Sequence, residues 1–171
     1  RDSLGKSGSI LGGQAQWMTA GRGILHEEMP QKSDRLYGLQ IWLNLPGEHK
    51  MTQPGYYDIR EDMIPIVELP EGQLRLLAGR FEGHQASESK FAKAAVYDLS
   101  LDPDQEIRLP IAREYNAFLY LLQGEVLVGA DAPTRVAERS AILLGEGDSV
   151  HLCTEAAGAR LMVFQGVPLN E

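Results

Sequence analysis

From Ala94 to Phe164 the chain is a succession of short runs of strand-forming residues, the first of them with apolar residues at every second position. Each run is closed by glycine, proline or a short acidic side chain. This pattern limits the available folds more than any other feature of the sequence. Ala95, Tyr97, Leu99 and Leu101 alternate with Ala94, Val96, Asp98 and Ser100, which puts one set on each face of a strand. Further strands are predicted at Glu106 to Leu109, Asn116 to Leu122, Glu125 to Gly129, Ser140 to Leu144, Ser149 to Cys153 and Arg160 to Phe164. The breaks between them, among them Asp102-Pro103-Asp104, Gln123-Gly124 and Gly145-Glu146-Gly147-Asp148, each have the residues that turns require. Helical periodicity is almost absent. Many short strands at close spacing predict an all-β antiparallel fold, a sandwich or jelly roll.

The first part of the chain reads in the same way but with fewer strands. A strand is predicted over Ala15 to Thr19, ending at the turn Ala20-Gly21-Arg22-Gly23, and Ile24 to Met29 continues extended to Pro30. Tyr37 to Leu45 is the strongest strand signal here, with Leu39, Ile41, Leu43 and Leu45 opposing Gln40, Trp42 and Asn44. Pro46 to Tyr57 reads as a loop, and Asp58 to Met63 as one helical turn before Pro65. Ile64 to Leu69 and Gln73 to Ala78 are strand candidates on either side of Pro70-Glu71-Gly72. The expected division is a first domain over 1–69, a bridge over 70–93 and a second domain over 94–171.

Composition narrows the function classes. A hydrophobic content of 43% over 171 residues supports a sizeable core. The net charge of −8, with no Lys/Arg cluster, argues against direct nucleic-acid binding. No stretch approaches the roughly 18 apolar residues of a membrane span. The single cysteine, Cys153, rules out an internal disulfide and fits a reducing compartment, so a cytoplasmic location is expected. Its flanks read as strand, which makes it a small buried hydrophobe.

One short stretch carries chemistry. In an extended segment His26 and Glu28 share a face while Glu27 points the other way. An imidazole and a carboxylate side by side supply half of a site for iron, manganese or zinc, although a His-x-Glu pair is also common as an ordinary surface pair. His49 and His84 sit in polar turns and read as solvated, and His151 has no carboxylate at matching spacing along the chain. Trp17 and Trp42 read as core or cavity wall. Gln40 is a candidate to orient a metal-bound imidazole through its free ring nitrogen.

Two segments have a common layout, Gly13 to Thr19 and Gly147 to Thr154, each a glycine turn followed by a strand. With those glycines aligned, His26 of the first copy falls on Arg160 of the second, so the second copy lacks the ligand. The second copy is preceded by a full set of strands and the first by only about a dozen residues. The first domain is therefore expected to be incomplete, with its missing strands supplied by an upstream fragment or another chain.

The run from Gln16 through Gly21-Arg22-Gly23-Ile24-Leu25-His26 to Glu28-Met29-Pro30, followed by Gly38 to Pro46, closely resembles the pirin family of the cupin superfamily. Leu144 to Val150 adds a second, shorter match. The resemblance implies a double-stranded β-helix (jelly-roll) bicupin, shortened here at both ends. It also implies one metal, usually Fe(II), held by three histidines and a glutamate in the first domain. On this match His26 is the third histidine and Glu28 the carboxylate, and the upstream His-x-His pair has no counterpart, so a metal is expected to be weakly held by this chain alone. The family implies a quercetin 2,3-dioxygenase-type oxygenase acting on a small aromatic, flavonol-like substrate, with Glu28 also the catalytic base. The alternatives are a redox-sensing regulator that binds a transcription factor or metabolic enzyme, or an inactive fragment.

Overall fold

The computed structural model describes residues 1–169. The chain divides into two compact units, Arg1–Arg60 and the residues from Glu61 onward.

In the first unit β1 (Ala15–Thr19) pairs antiparallel with β2 (Gly55–Ile59), Trp17 lying opposite Tyr57 and Gln16 opposite Asp58. The Gln16 amide donates to the Asp58 carboxylate at 2.8 Å across this pair. β2 takes the end of the expected loop and the first residues of the expected helical turn, because the adjacent tyrosines and Ile59 suit a pleated surface. The helical turn expected over Asp58 to Met63 is present as a 3-10 turn at Glu61–Met63, and another 3-10 turn lies at Gly47–His49. Gly21 adopts φ +53°, and a Cβ there would lie 2.2 Å from the Thr52 carbonyl oxygen, so only glycine fits where the two segments cross.

Residues 37–45, expected as a strand, join no strand among the described residues. Alternation encodes a half-buried pleat, but a strand exists only against a neighbour. Trp42 is 91% exposed and Leu39, Ile41 and Leu43 are each more than 40% exposed.

The second unit holds β3 (Ile66–Leu69), β4 (Gly72–Ala78), the short pair β5 (Arg80–Phe81) and β6 (His84–Gln85), and β7 (Ala94–Leu101). It continues with β8 (Glu106–Pro110), β9 (Asn116–Val128), β10 (Thr134–Ala137), β11 (Ala141–Leu143), β12 (Ser149–Cys153) and β13 (Ala159–Gly166). These make one curled antiparallel sheet in the order β3-β4-β7-β13-β9-β12-β8, with β10 and β11 also on β9 and β5-β6 apart. Residues 66–78 thus belong to this sheet, where Leu74 and Leu76 are fully buried opposite Leu99 and Tyr97.

The sequence predicts two strands broken at Gln123-Gly124, but the structure has one continuous strand, β9. Gly124 has φ +81°, and a Cβ on it would lie 2.4 Å from the Gly158 carbonyl oxygen. Gly124 stays paired with Ala159, and the register against β13 shifts just before it, where Arg160 and Leu161 pair with Gln123 and Leu121 and leave Leu122 as the extra residue. One extra residue makes a bulge, which bends a strand rather than ending it. Residues 116–124 pair with β13, and residues 125–128 pair with β10 and β12, so β9 serves both walls of the barrel.

The inner face carries the core. Leu74, Leu76, Leu99, Leu109, Leu119, Leu121, Leu152, Leu161 and Val163 are all fully buried in one cluster, each contributing about 1.5–3 kcal/mol. The alternate residues of the same strands, Leu122, Met162 and Phe164, form a smaller cluster on the outer face, where Phe118 and Phe164 stack at 4.7 Å. Asp98 lies on that outer face, 3% exposed, and accepts from Arg75 Nη1 at 2.9 Å and from Arg160 Nε and Nη2 at 2.8 and 2.7 Å.

Candidate functional site

In the first unit, residues 1–3 run antiparallel to 25–27 with Asp2 bridged to His26. The Ser3 amide donates to the Leu25 carbonyl at 2.8 Å, and the Glu27 amide donates to the Arg1 carbonyl at 2.8 Å. The amides of Lys6 and Leu4 donate to the Asp2 carboxylate, which holds its carboxyl below the usual range. These bonds extend the backbone at His26, so side chains two apart fall on one side. His26 Nδ1 stands 3.8 Å from Glu28 Oε1, with the side chains 38% and 66% exposed. Donor atoms that each sit about 2 Å from one divalent ion lie about 3–4 Å apart, and this pair matches that separation. Among the other sequence candidates, Trp17 is half-buried in β1 while Gln40 and Trp42 are exposed. His49 faces Glu48 at 3.4 Å, and His84 is exposed in β6.

The second unit brings together a group that chain spacing did not reveal. The β8–β12 register sets Cys153 opposite Glu106 and His151 opposite Arg108. Glu106, His151 and Cys153 then offer a carboxylate oxygen, a ring nitrogen and a sulfur all within 4.8 Å of one another. His151 Nε2 lies 2.7 Å from Glu106 Oε1, and Nδ1 lies 3.3 Å from the Gly129 carbonyl. The Glu106 hydrogen bond, helped by that carbonyl, raises the His151 pKa. Burial, with the Glu106 charge behind it, pushes the Cys153 thiol up. The signal available in the sequence was the two-residue spacing of His151 and Cys153. The carboxylate arrives from another strand, which no linear spacing shows.

A cavity of about 620 Å³ opens beside Phe81, Tyr97, Ile111, Tyr115 and Gln165. The Tyr97 hydroxyl donates to the Arg80 carbonyl at 2.8 Å and accepts from Gln165 Nε2 at 2.9 Å. Burial pushes its pKa up to about 12. The Gln165 side-chain oxygen accepts from the Ala112 amide at 3.2 Å. These polar groups satisfy one another, and the charged residues Arg80, Glu82, Glu88 and Lys93 also line the cavity.

A curled antiparallel sheet closed over an apolar interior, with a His-x-Glu segment in a separate unit, is the organisation of a cupin-fold protein. Residues 1–43 match the family profile described as Pirin, and residues 96–171 the one described as Pirin C-terminal cupin domain. The chain belongs to the pirin family. It is 34% identical over 172 residues to a pirin-like protein of Solanum lycopersicum, covering 100% of this chain and 59% of that one. It is also 34% identical to a Pseudomonas aeruginosa protein whose name assigns it provisionally to the quercetin 2,3-dioxygenases, covering 99% of this chain and 62% of the relative. The crystal structure of a quercetin 2,3-dioxygenase from Acinetobacter baumannii superposes with a TM-score of 0.81 at 26% identity, over 100% of this chain and 61% of that one. The chain thus spans about three fifths of the length of the curated relatives it matches. Among the described residues no helix is long and apolar enough to cross a membrane.

Proposed function

We propose that His26 and Glu28 are two protein ligands of a pirin-type metal centre, with Fe(II) as the first choice of ion. In the form that carries the remaining ligands, the protein acts as a quercetin 2,3-dioxygenase-type oxygenase on a flavonol-like substrate. The observation that carries this reading is the 3.8 Å approach of the imidazole and carboxylate on one side of an extended segment. The P. aeruginosa and A. baumannii relatives support the reaction class by their names. When bound, such an ion supplies Lewis acidity and one-electron chemistry toward dioxygen.

The chain's own residues supply position and proton transfer. Glu28 accepts the proton of the substrate hydroxyl, a task within reach of a carboxylate that is 66% exposed on its side chain. In the iron-loaded protein with its upstream ligands, His26→Ala abolishes stoichiometric iron by elemental analysis and quercetin-dependent oxygen uptake. Iron retained at full stoichiometry in that variant refutes the ligand assignment.

The exposed apolar run at Leu36, Tyr37, Leu39, Ile41, Trp42 and Leu43 favours a second reading, a redox-sensing regulator that presents this surface to a protein partner. The same alternating segment is suited to pair with a further strand, from preceding polypeptide or another chain. Iron binding without turnover of any flavonol, together with capture of a partner that Trp42→Ala weakens, supports the regulator over the enzyme. A cytoplasmic location fits both readings and is supported by the single cysteine.

A further inference from the structure

We propose that Glu106, His151 and Cys153 form a second site, for a divalent transition ion of borderline softness such as zinc or cobalt(II), on the outward face of the β8–β12 pair. This goes beyond the His26 centre and does not depend on it.

Val150 and Leu152 of β12 point into the core, so Ser149, His151 and Cys153 share the outward face. The antiparallel register delivers Glu106 beside them from the neighbouring strand. The three donor atoms lie within 4.8 Å of one another, Cys153 Sγ being 3.9 Å from His151 Nδ1. Zinc takes nitrogen and oxygen ligands at about 2.0–2.2 Å and sulfur at about 2.3 Å, so small rotations about the side-chain bonds bring all three onto one ion.

The imidazole is already oriented for this role. Its Nδ1 faces the Gly129 carbonyl at 3.3 Å, and the Gly129 amide donates back to the His151 carbonyl at 3.0 Å, which fixes the ring against the turn after β9. Nε2 is thereby directed at the Glu106 carboxylate. A ligating histidine anchored through its other nitrogen to a backbone carbonyl is the usual outer arrangement of a metal site.

Arg108, the cationic neighbour across the register from His151, is drawn away to Ser149 Oγ at 2.8 Å and Asp148 Oδ1 at 3.4 Å. The Glu106 side chain is 70% exposed and leaves an entry path from solvent. A thiolate, an imidazole and one carboxylate select zinc or cobalt over calcium or magnesium, which prefer sets of oxygen ligands. Three protein ligands leave the fourth tetrahedral position to water.

The test is a cobalt(II) titration of the reduced protein, followed by absorption. Cys153 is the only cysteine in the chain, so a thiolate-to-cobalt charge-transfer band reports this site alone. His26 and Glu28 cannot produce it, which keeps failure here distinct from failure of the His26 reading. One equivalent of cobalt should saturate the band, and zinc should abolish it by displacement. His151→Gln and Glu106→Gln should each weaken cobalt binding by at least the roughly 10–100-fold that even an outer-layer partner is worth, with far-UV circular dichroism unchanged. Zinc should slow alkylation of Cys153 by iodoacetamide at least about tenfold. Absence of the band in folded, reduced protein overturns the proposal. So does a band of unaltered affinity in both ligand variants, or alkylation at equal rates with and without zinc.

Discussion

Replacing Asp98 by Asn removes one charge and almost no volume, which makes it a sharp probe of how the outer face of the sheet is held. The carboxylate is 3% exposed and accepts three hydrogen bonds, one from Arg75 and two from Arg160. Burial pushes its pKa up, but the Arg160 and Arg75 hydrogen bonds and charges outweigh burial and hold the carboxyl below the usual carboxylate range. Breaking a buried ion pair by removing one partner costs about 3–5 kcal/mol. Here the guanidinium of Arg160, 42% exposed, recovers part of its hydration, so the expected loss is about 2–3 kcal/mol, or roughly 4–12 °C in Tm.

The assay is chemical denaturation followed by far-UV circular dichroism. Both tryptophans, Trp17 and Trp42, lie in the first unit, so indole fluorescence does not report on this sheet. The sign of the pH effect follows from the lowered pKa. The Asp98 contribution is fully present above the unfolded value near 4 and is lost as pH falls through the folded value. The stability difference between wild type and Asp98→Asn should therefore narrow toward zero on acidification below about pH 4. A loss under about 0.5 kcal/mol at neutral pH, or a difference that widens in acid, would show that the ion triad does not hold the sheet together.

The remaining predictions probe other parts of the molecule. Gly124→Ala meets both a left-handed backbone and the Gly158 carbonyl, and should lose at least about 1–3 kcal/mol by thermal denaturation. Thr154→Val removes the hydroxyl that donates to the Asp102 carbonyl at 2.6 Å and accepts from the Gln105 amide at 3.0 Å, and should cost about 1–3 kcal/mol in the same measurement. Glu27→Ala should leave the iron content of the metal-loaded protein unchanged, because its side chain alternates away from His26 and Glu28. A drop in iron by elemental analysis would count against that alternation.

The second unit was legible because its strands obey the period-two rule and end at turn formers. Ala94–Leu101 and Ser149–Cys153 appear at the boundaries read from the sequence. Gly124 shows where such reading stops: the glycine read as a break sits inside a continuous strand, two residues past the bulge at Leu122 and against the Gly158 carbonyl. Residues 37–45 fail in the opposite direction, since their alternation states what the segment would do beside a partner strand. At the sites, His26 and Glu28 are neighbours along the chain and so could be paired by inspection. Glu106 and His151 are 45 residues apart, and a strand register joins them. Arg160 had been marked only as the residue in place of a ligand, and the structure gives it a task of its own in the clasp on Asp98.

The bend between Leu122 and Gly124 also governs how the barrel comes apart. One uninterrupted backbone is stitched into both walls, so neither wall can peel off while the other stays closed. Amide protons on the two sides of the bend, such as those of Leu119 and Val126, should exchange with solvent in a single opening event with the same free energy. The barrel wall then behaves as one cooperative unit rather than two flaps that breathe separately.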